Sequence, residues 1–549
     1  MILGLLAAAC TVPNPNRRHL DGGSEPTDPT AKQLTSLVFL ASANPGLGAD
    51  VTAVIDGTTV KASVPFGRNR ALVATFTTTG ARVEVAGVAQ ESGVTSNAFL
   101  APVTYHVVAG DGSAQDYTVT AGPAQQAYVK ASNTDPSDIF GSSVALSADG
   151  NTLAVGAPQE SSKAGINGDQ TDNTASLSGA VYVFTRSGGI WSQQAYIKAS
   201  NTGAGDTFGK SVALSADGNT LAVGAWQEDS KATGINGDQS DNSVDGSGAA
   251  YVFTRSGGSW SQQAYVKSSN TVMYDSFGFS LALSADGNTL AVGATASGTV
   301  CVFARSGVVW SQQAYLKASG FGYSVALSAD GNTLAAGAVE FAGIEPGAVH
   351  VFARSGISWS QQAVVKAAGY IQSDAFGSSV ALSVDGNTLA VGAYQENRST
   401  APGGATYVFV RSGTSWNQEA YLRASNADPS DHFGSQVALA ADGNTLAVSA
   451  DYESSAAKGI GGNPSDNSAS ASGAVYVFTR SSSVWSQQAY VKASNSDPGD
   501  FFGGTVALSA DGATLAVASP FEGGLGKGIN DNYQDDNSKP TSGAVYVFH

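Results

Sequence analysis

One sentence of sequence is written seven times in this chain, and nothing else restricts its fold as much. The triplet Gln-Gln-Ala recurs at Gln125, Gln193, Gln262, Gln312 and Gln361, as Gln-Glu-Ala at Gln418, and again at Gln487, at spacings of 49 to 69 residues. Repeats of that period build propellers or solenoids, because a single unit cannot bury its own apolar face and needs its neighbours to do so. Four short strands, A to D, can be read in each unit. In the first they are Ser143-Val-Ala-Leu-Ser147, Thr152-Leu-Ala-Val-Gly156, Ala180-Val-Tyr-Val-Phe184 and Trp191-Ser-Gln-Gln-Ala-Tyr-Ile-Lys198. The A–B link is Asp149-Gly150, a strong hairpin signal because both turn positions need positive φ. It recurs at Asp217, Asp286, Asp330, Asp385, Asp442 and Asp511.

The strand count decides how the repeats close. The region opens on a D strand, Gln125 to Ala131, and ends at Phe548-His549 after a C strand, so the seventh unit lacks D and the first segment lacks A, B and C. Seven complete sheets result only if the N-terminal strand joins the C-terminal unit, which leaves no open edge. The predicted fold class is therefore all-β: a seven-bladed β-propeller over 124–549 closed by its N-terminal strand, preceded by a small β-sandwich. Strands A and B alternate branched with small residues, as close packing near an axis requires. Strand C, with Tyr and Phe, belongs further out. Trp191, Trp260, Trp310, Trp359, Trp416 and Trp485 all stand at the C–D turn and read as packing anchors.

Each unit also carries Phe-Gly at the start of A: Phe140-Gly141, Phe208-Gly209, Phe277-Gly278, Phe321-Gly322, Phe376-Gly377, Phe433-Gly434 and Phe502-Gly503, and Gly156-Ala157-Pro158 follows B in the first. This pattern resembles the FG-GAP repeat family, which includes the integrin α-subunit propeller and many bacterial surface proteins. The resemblance implies ligand binding or adhesion and no shared enzymatic activity.

Residues 33–121 alternate apolar and polar residues in seven short runs, from Leu37-Val-Phe-Leu40 to Tyr117-Thr-Val119, which suggests a β-sandwich. Its closing hairpin, Val108 to Tyr117, resembles the end of the immunoglobulin-like and cadherin-like modules that space binding domains off bacterial surfaces, and a spacer role is expected. Residues 11–32, rich in Pro, Asn, Asp and Gly, read as a disordered tether. The first ten residues, Met1-Ile-Leu-Gly-Leu-Leu-Ala-Ala-Ala-Cys10, run apolar and then small before a cysteine, as a secretory signal does. They resemble the lipobox of bacterial lipoproteins, which implies lipidation of Cys10 and a secreted, lipid-anchored protein on the outer membrane or cell surface; the alternative is a chance apolar start with a free thiol. No later segment has the roughly 20 consecutive apolar residues of a transmembrane helix. Cys301 replaces the strand-C tyrosine of the third unit and reads as a buried thiol, so no disulfide framework is expected.

Acidic residues outnumber basic ones 44 to 27, a net charge of −17, which argues against nucleic acid and anionic membrane surfaces as partners. The A–B hairpins offer one carboxylate each, too few for the six to eight oxygens calcium takes, although the integrin-type resemblance implies calcium at that loop. The B–C loops are richer. The first has Asn167, Asp169, Asp172 and Asn173; the second Asn236, Asp238, Asp241 and Asn242; the sixth Asp466 and Asn467; the seventh Asp531, Asp535 and Asp536. Units three, four and five have short links, so ring closure makes six, seven, one and two a continuous arc of tall loops. B–C and D–A links share one rim of a propeller, and the D–A links add Asp135, Asp138, Asp206, Asp275, Asp374, Asp428, Asp431, Asp497 and Asp500. One face is expected to be acidic and polar.

Two readings of the loop acids stand side by side. Asn, Asp and Gly are ordinary turn residues whose side chains bond their own backbone. Alternatively Asp169, Asp172, Asp238, Asp241, Asp466, Asp531 and Asp535 hold calcium, with Asn167, Asn173, Asn236, Asn242, Asn467 and Asp536 toward a ligand. Arg186 and its five relatives after strand C are expected to pair with the hairpin aspartates. The five histidines, His19, His106, His350, His432 and His549, are dispersed, and the outstanding residues repeat unit by unit whereas catalysis breaks symmetry. A monomeric, non-catalytic binding or adhesion protein for an extracellular protein or glycan is expected; the alternatives are a surface scaffold without a specific ligand, or a hydrolase or lyase on the same scaffold.

Overall fold

The computed structural model describes residues 28–549 apart from 164, 340–346, 369–373, 397–402 and 532–533, so Cys10 and His19 lie outside the described residues. The described chain is all strand, turn and link, without a helix. It divides into two compact units: residues up to Ala62 with Arg70–Ala121, and Ser63–Asn69 with Gly122–His549.

In the first unit a six-stranded sheet runs in the order Val54–Asp56, Thr59–Ser63, Ala114–Gly122, Val103–Val108, Arg82–Val85, Val88–Ala89. A three-stranded sheet has Leu34–Phe39 between Val51–Thr52 and Thr75–Thr78, and Leu72–Val73 pairs with Ser96–Asn97. All seven runs read from the sequence fall on strands, but those at 51–55 and 72–76 are each divided between two sheets. The period-2 pattern places Leu37, Phe39, Val60, Tyr105, Val107 and Val119 inside. The segment Ser63–Asn69 groups with the second unit, where Phe66 packs with Tyr128, Phe502 and Tyr546.

The second unit consists of seven four-stranded antiparallel sheets. Sheet one is Ser143–Leu146, Thr152–Ala157, Ala180–Ser187 and Ile190–Ile197, in sequence order A to D, and the next five repeat that order. The remaining sheet combines the two ends of the repeat region: Thr505–Leu508, Leu515–Ser519 and Ala544–Phe548 supply A, B and C, and Gln125–Val129 pairs with Ala544–Phe548 as D, with Tyr128 opposite Tyr546 and Val129 opposite Val545. The A–B hairpins are linked in turn. Ala148 N donates to Ala216 O at 2.9 Å, and the same bond runs Ala216 to Ala285, Ala285 to Ala329, Ala329 to Val384, Val384 to Ala441, Ala441 to Ala510, and back from Ala510 to Ala148.

Strand B of sheet one, Thr-Leu-Ala-Val-Gly-Ala, is buried on both faces, and its small residues let the next sheet approach. A Cβ on Gly156 would stand 2.0 Å from Gly209 O, the glycine of the next Phe-Gly. Gly141 is left-handed at φ +95, a conformation only glycine adopts without strain. Phe140 is fully buried, edge-on to Tyr182 at 5.3 Å.

The Gln-Gln-Ala triplet marks a β-bulge. In sheet one Phe184 pairs with Gln193 and Val183 with Ala195, so Gln194 is the extra residue. A bulge re-aims a side chain, and Gln194 reaches the next sheet, where its Oε1 accepts from Arg255 Nη1 at 3.0 Å and Trp260 Nε1 at 3.1 Å. Gln126 does the same for Arg186 and Trp191, Gln263 for Arg305 and Trp310, and Glu419 for Arg480 and Trp485. The arginine also lies over the tryptophan, 5.5 Å from the ring centroid for Arg186 on Trp191. The expected Asp–Arg pairs are not what forms. Asp149 is occupied inside its hairpin, accepting from Ser147 Oγ at 2.5 Å and Asn151 N at 2.9 Å, and Arg186 Nε donates to Asn151 Oδ1 at 2.9 Å instead.

Candidate functional site: the loop-bearing rim

The B–C and D–A links meet on one rim and are held there by a buried polar node that occurs in sheets one, two, six and seven. In sheet one Glu160, 1 % exposed, follows strand B, and Lys198, 2 % exposed, ends strand D; Lys198 Nζ donates to Glu160 Oε2 at 2.9 Å and to Ser178 Oγ at 2.8 Å. Ser178, at the far end of the B–C loop, donates to Ser162 O at its near end at 3.0 Å, so one lysine ties both ends of the loop. Asn133, from the D–A link, donates to Glu160 Oε1 at 3.2 Å and to Gln170 O within the loop at 2.9 Å, and accepts the Tyr182 hydroxyl. The counterparts are Lys267–Glu228 at 2.9 Å, Lys492–Glu453 at 2.8 Å and Lys130–Glu522 at 2.7 Å, with Asn201, Asn426 and Asn495 in the place of Asn133. Burial pulls these lysines down and the glutamate opposes the shift. A buried pair is tolerable only when its remaining hydrogen bonds are filled, as they are here.

The node revises the expected acidic rim. Asp138, Asp206, Asp275, Asp374, Asp431 and Asp500 are buried, not displayed. Burial first, with the neighbouring glutamates adding to it, pushes Asp138, Asp206 and Asp431 up to about 7 and Asp500 up to about 8. The node was missed in the sequence, although two signals mark it: Lys-Ala-Ser-Asn, or Arg-Ala-Ser-Asn before sheet six, precedes each of the four sheets, and a Glu stands three residues after the end of strand B.

The loop acids sit in separate turns. Asp169 accepts from Thr171 N at 2.9 Å and Thr171 Oγ1 at 2.7 Å; Asp172 from Thr174 N at 2.9 Å; Asp238 from Ser240 N at 2.9 Å; Asp466 from Ser468 N at 3.0 Å; Asp536 from Ser538 N at 2.8 Å. These bonds hold all five below the usual carboxylate range. Asp241 is drawn well down by Lys231, 2.7 Å away, and by Ser243. Asp531 accepts from Lys527 N at 3.1 Å, and Asp535 stands 3.8 Å from Lys458 Nζ. Among the described residues no three His, Cys, Asp or Glu side chains are grouped as a metal site.

Of the asparagines, Asn167 and Asn236 are left-handed and splice the loop onto strand D: Asn167 N donates to Tyr196 O at 2.8 Å while Tyr196 N donates to Asn167 Oδ1 at 2.9 Å, and Asn236 does the same with Tyr265. Both are loop anchors by geometry. Asn173 and Asn467 tie the two links together, donating to Asp135 at 3.1 Å and to Asp428 at 2.7 Å. Asn242 is exposed and lines, with Lys163, Ile166, Gln239 and Ser240, an open cleft of about 950 Å³ between the loops of sheets one and two.

The rim also carries aromatic rings at positions that are aromatic in only some of the repeats. Tyr394, His432, Tyr452, Phe501 and Phe521 form a string through sheets five to seven, and Trp226, Phe279 and Tyr323 a shorter one through two to four. Trp226 is the seventh tryptophan, the one absent from the C–D turns, and that break of symmetry was the available signal. Cys301 is a fully buried thiol pushed up to about 12 by burial.

The FG-GAP repeat model matches residues 123–184, 191–253, 359–409, 416–478 and 485–548, together more than half of the chain. The N-terminal domain model of SGBP, surface glycan-binding proteins, matches residues 46–121. No curated protein matches. Similar solved structures include a proposed 6-phosphogluconolactonase from Bacteroides uniformis (12 % identity, TM-score 0.43, covering 71 % of this chain and 92 % of that one) and the periplasmic gluconolactonase of Pseudomonas aeruginosa (16 %, 0.40, 72 % and 93 %). A chain of the mitotic checkpoint complex is similar at 13 % identity and TM-score 0.43, over 75 % of this chain and 94 % of its own.

Proposed function

The chain belongs to the FG-GAP repeat family, and from that premise we propose that it is a non-catalytic glycan-binding protein of the cell surface, whose seven sheets are the blades of one closed propeller. The ligand is taken on the loop-bearing rim over sheets six, seven, one and two. The observation that carries the function is the match of the N-terminal unit to the surface glycan-binding family, joined in one chain to a repeat body. That match favours a glycan over a protein ligand and gives the N-terminal unit more than a spacer role.

Closure is supported by the shared sheet of Gln125–Val129 with Ala544–Phe548 and by the cycle of hairpin hydrogen bonds that returns to Ala148. The choice of rim is supported by the four nodes, which hold long polar loops in fixed positions, and by the cleft beside Asn242. Preorganised polar loops bind without a large ordering cost. The reading as non-catalytic is supported by the histidines, which lie far apart in the chain with different partners: His106 bonds Asp116 in the N-terminal unit, His350 bonds Gln361, and His432 lies between Tyr394 and Tyr452 beside Asp451. Secretion and a lipid anchor at Cys10 complete the reading; no described helix is long and apolar enough to cross a membrane.

A glycan array probed with the full chain and with variants shortened at 165–174 and 235–244 tests the rim. The full chain should retain a subset of glycans, and the shortened chains should melt cooperatively yet bind more weakly. A full chain that retains no glycan leaves a surface scaffold as the function.

A further inference from the structure

We propose that the string Tyr394, His432, Tyr452, Phe501 and Phe521 is a stacking platform for an uncharged saccharide chain; this rests on the glycan-binding reading above and gives it an address. Consecutive ring centroids lie 5.1, 4.2, 4.8 and 5.0 Å apart, so the five side chains form one unbroken strip across three sheets. The strip is built by alternating links: Tyr394, Tyr452 and Phe521 follow strand B of sheets five, six and seven, and His432 and Phe501 immediately precede the Phe-Gly of six and seven.

The fold does not require aromatic residues at these places. The position before Phe-Gly is left-handed in every repeat, at φ 54 in Ile139, 56 in Thr207, 59 in Ser276, 69 in Gly320, 54 in Ala375, 63 in His432 and 55 in Phe501. Left-handed backbone is strained for a bulky residue, and small or aliphatic residues fill the position in the other five repeats. Packing of the sheets is done by other rings: Phe433, Phe502, Tyr476 and Tyr546 are fully buried. By contrast Tyr452 is 41 % and Phe521 39 % exposed. Two exposed rings continuous with three half-buried ones, at places where most repeats carry other residues, mark a contact surface.

The chemistry of the strip selects the ligand. Ring faces accept the C–H faces of pyranoses. Between them stand hydroxyl-binding groups, the two tyrosine hydroxyls and the His432 ring, with Asp451 behind the ring, its Oδ1 buried 3.7 Å from His432 Nδ1. A chain of net charge −17 with a carboxylate behind the strip repels acidic sugars, which leaves neutral ones.

Affinity electrophoresis of the full chain through gels containing starch, xylan, galactomannan or mixed-linkage β-glucan, with polygalacturonate as the acidic counterpart, tests the proposal. At least one neutral polysaccharide should retard the wild type, and Tyr452→Ala with Phe521→Ala together should weaken that binding about tenfold, as loss of central aromatic contacts does, with the melting temperature held; Ile357→Ala, at a distant exposed turn, should change nothing. If the double variant does not melt cooperatively, Phe521→Ser alone carries the test. Retardation unchanged in the variants overturns the platform and leaves the glycan reading standing. Retardation by polygalacturonate alone overturns the neutral class, and a wild type retarded by none of the polysaccharides overturns both readings.

Discussion

Lys198 in sheet one and Lys317 in sheet three hold the same place at the end of strand D, and their surroundings could hardly differ more. Lys198 is buried against Glu160 and Ser178 under a loop spanning residues 158–179, whereas Lys317 is exposed beside a link of four residues, 295–298, with Ser297 where the glutamate would be. Lys366 of sheet four is exposed as well. The division extends to the sheet interfaces. Gln126, Gln194, Gln263 and Glu419 clamp an arginine and a tryptophan of the next sheet, but Gln313 and Gln362 leave Oε1 without a partner, and so do Trp359 and Trp416 their Nε1. The lesson is that a tall polar loop is anchored from below: in sheets one, two, six and seven the repeat acquires an internal ion pair with its bonds filled, in sheets three and four the same lysine stays in water, and sheet five stands between, with Arg423 3.6 Å from the buried Glu396.

The largest blow to that contrast is deletion of residues 124–132, which removes strand D and Lys130 from sheet seven and opens the sheet to which both ends of the repeat region contribute. Cooperative melting of the repeat body should disappear in calorimetry; a truncated chain that melts as before would sink the closing-strand topology.

Next in size, Lys198→Ala leaves Glu160 buried without its counter-charge and should cost about 3–5 kcal/mol, while Lys317→Ala should stay within about 0.5 kcal/mol. Equal losses in urea titrations would erase the distinction between the two kinds of sheet.

A smaller effect separates them by pH. Asp138, Asp206 and Asp431 at about 7, and Asp500 at about 8, hold their protons in the fold far above the 3.8 of a free aspartate. Folding therefore retains protons that the unfolded chain releases, and this contribution, complete below the unfolded pKa, is lost as pH rises toward 7 and 8. The melting temperature should rise from pH 8.5 to pH 5.5, and Asp500→Asn should flatten the upper part of that dependence; a flat wild-type profile would contradict the buried-acid assignment.

Smallest of all, EDTA should leave the melting curve in place, because the loop acids are spent on their own turns. A clear downward shift would return calcium to the long loops and give the two kinds of sheet a different cause.

Much of the fold was legible because its signals are local. Asp-Gly sets each A–B hairpin, period-2 alternation sets the strands, and counting strands assigned Gln125–Val129 to sheet seven. The candidate site was legible in part. The long loops of sheets one, two, six and seven were found from their Asn and Asp residues, but Asn167 and Asn236 anchor strand D and Asp138 or Asp500 lies inside, since burial of a polar residue depends on what closes over it. Arg186 goes to Asn151 because Asp149 is already committed within two residues of itself, a competition that side-chain geometry settles.

By itself the sequence determined the repeat, the hairpins and the four-strand unit, since each depends on residues within reach along the chain. Only the tertiary structure decided which acids face water, which lysines are paired across 38 or 39 residues or, for Lys130 and Glu522, across 392, and that five rings from three sheets meet in one strip. Those outcomes arise from surfaces brought together by the packing of one sheet on the next, and no local pattern encodes the distance between residues that meet only when the sheets do.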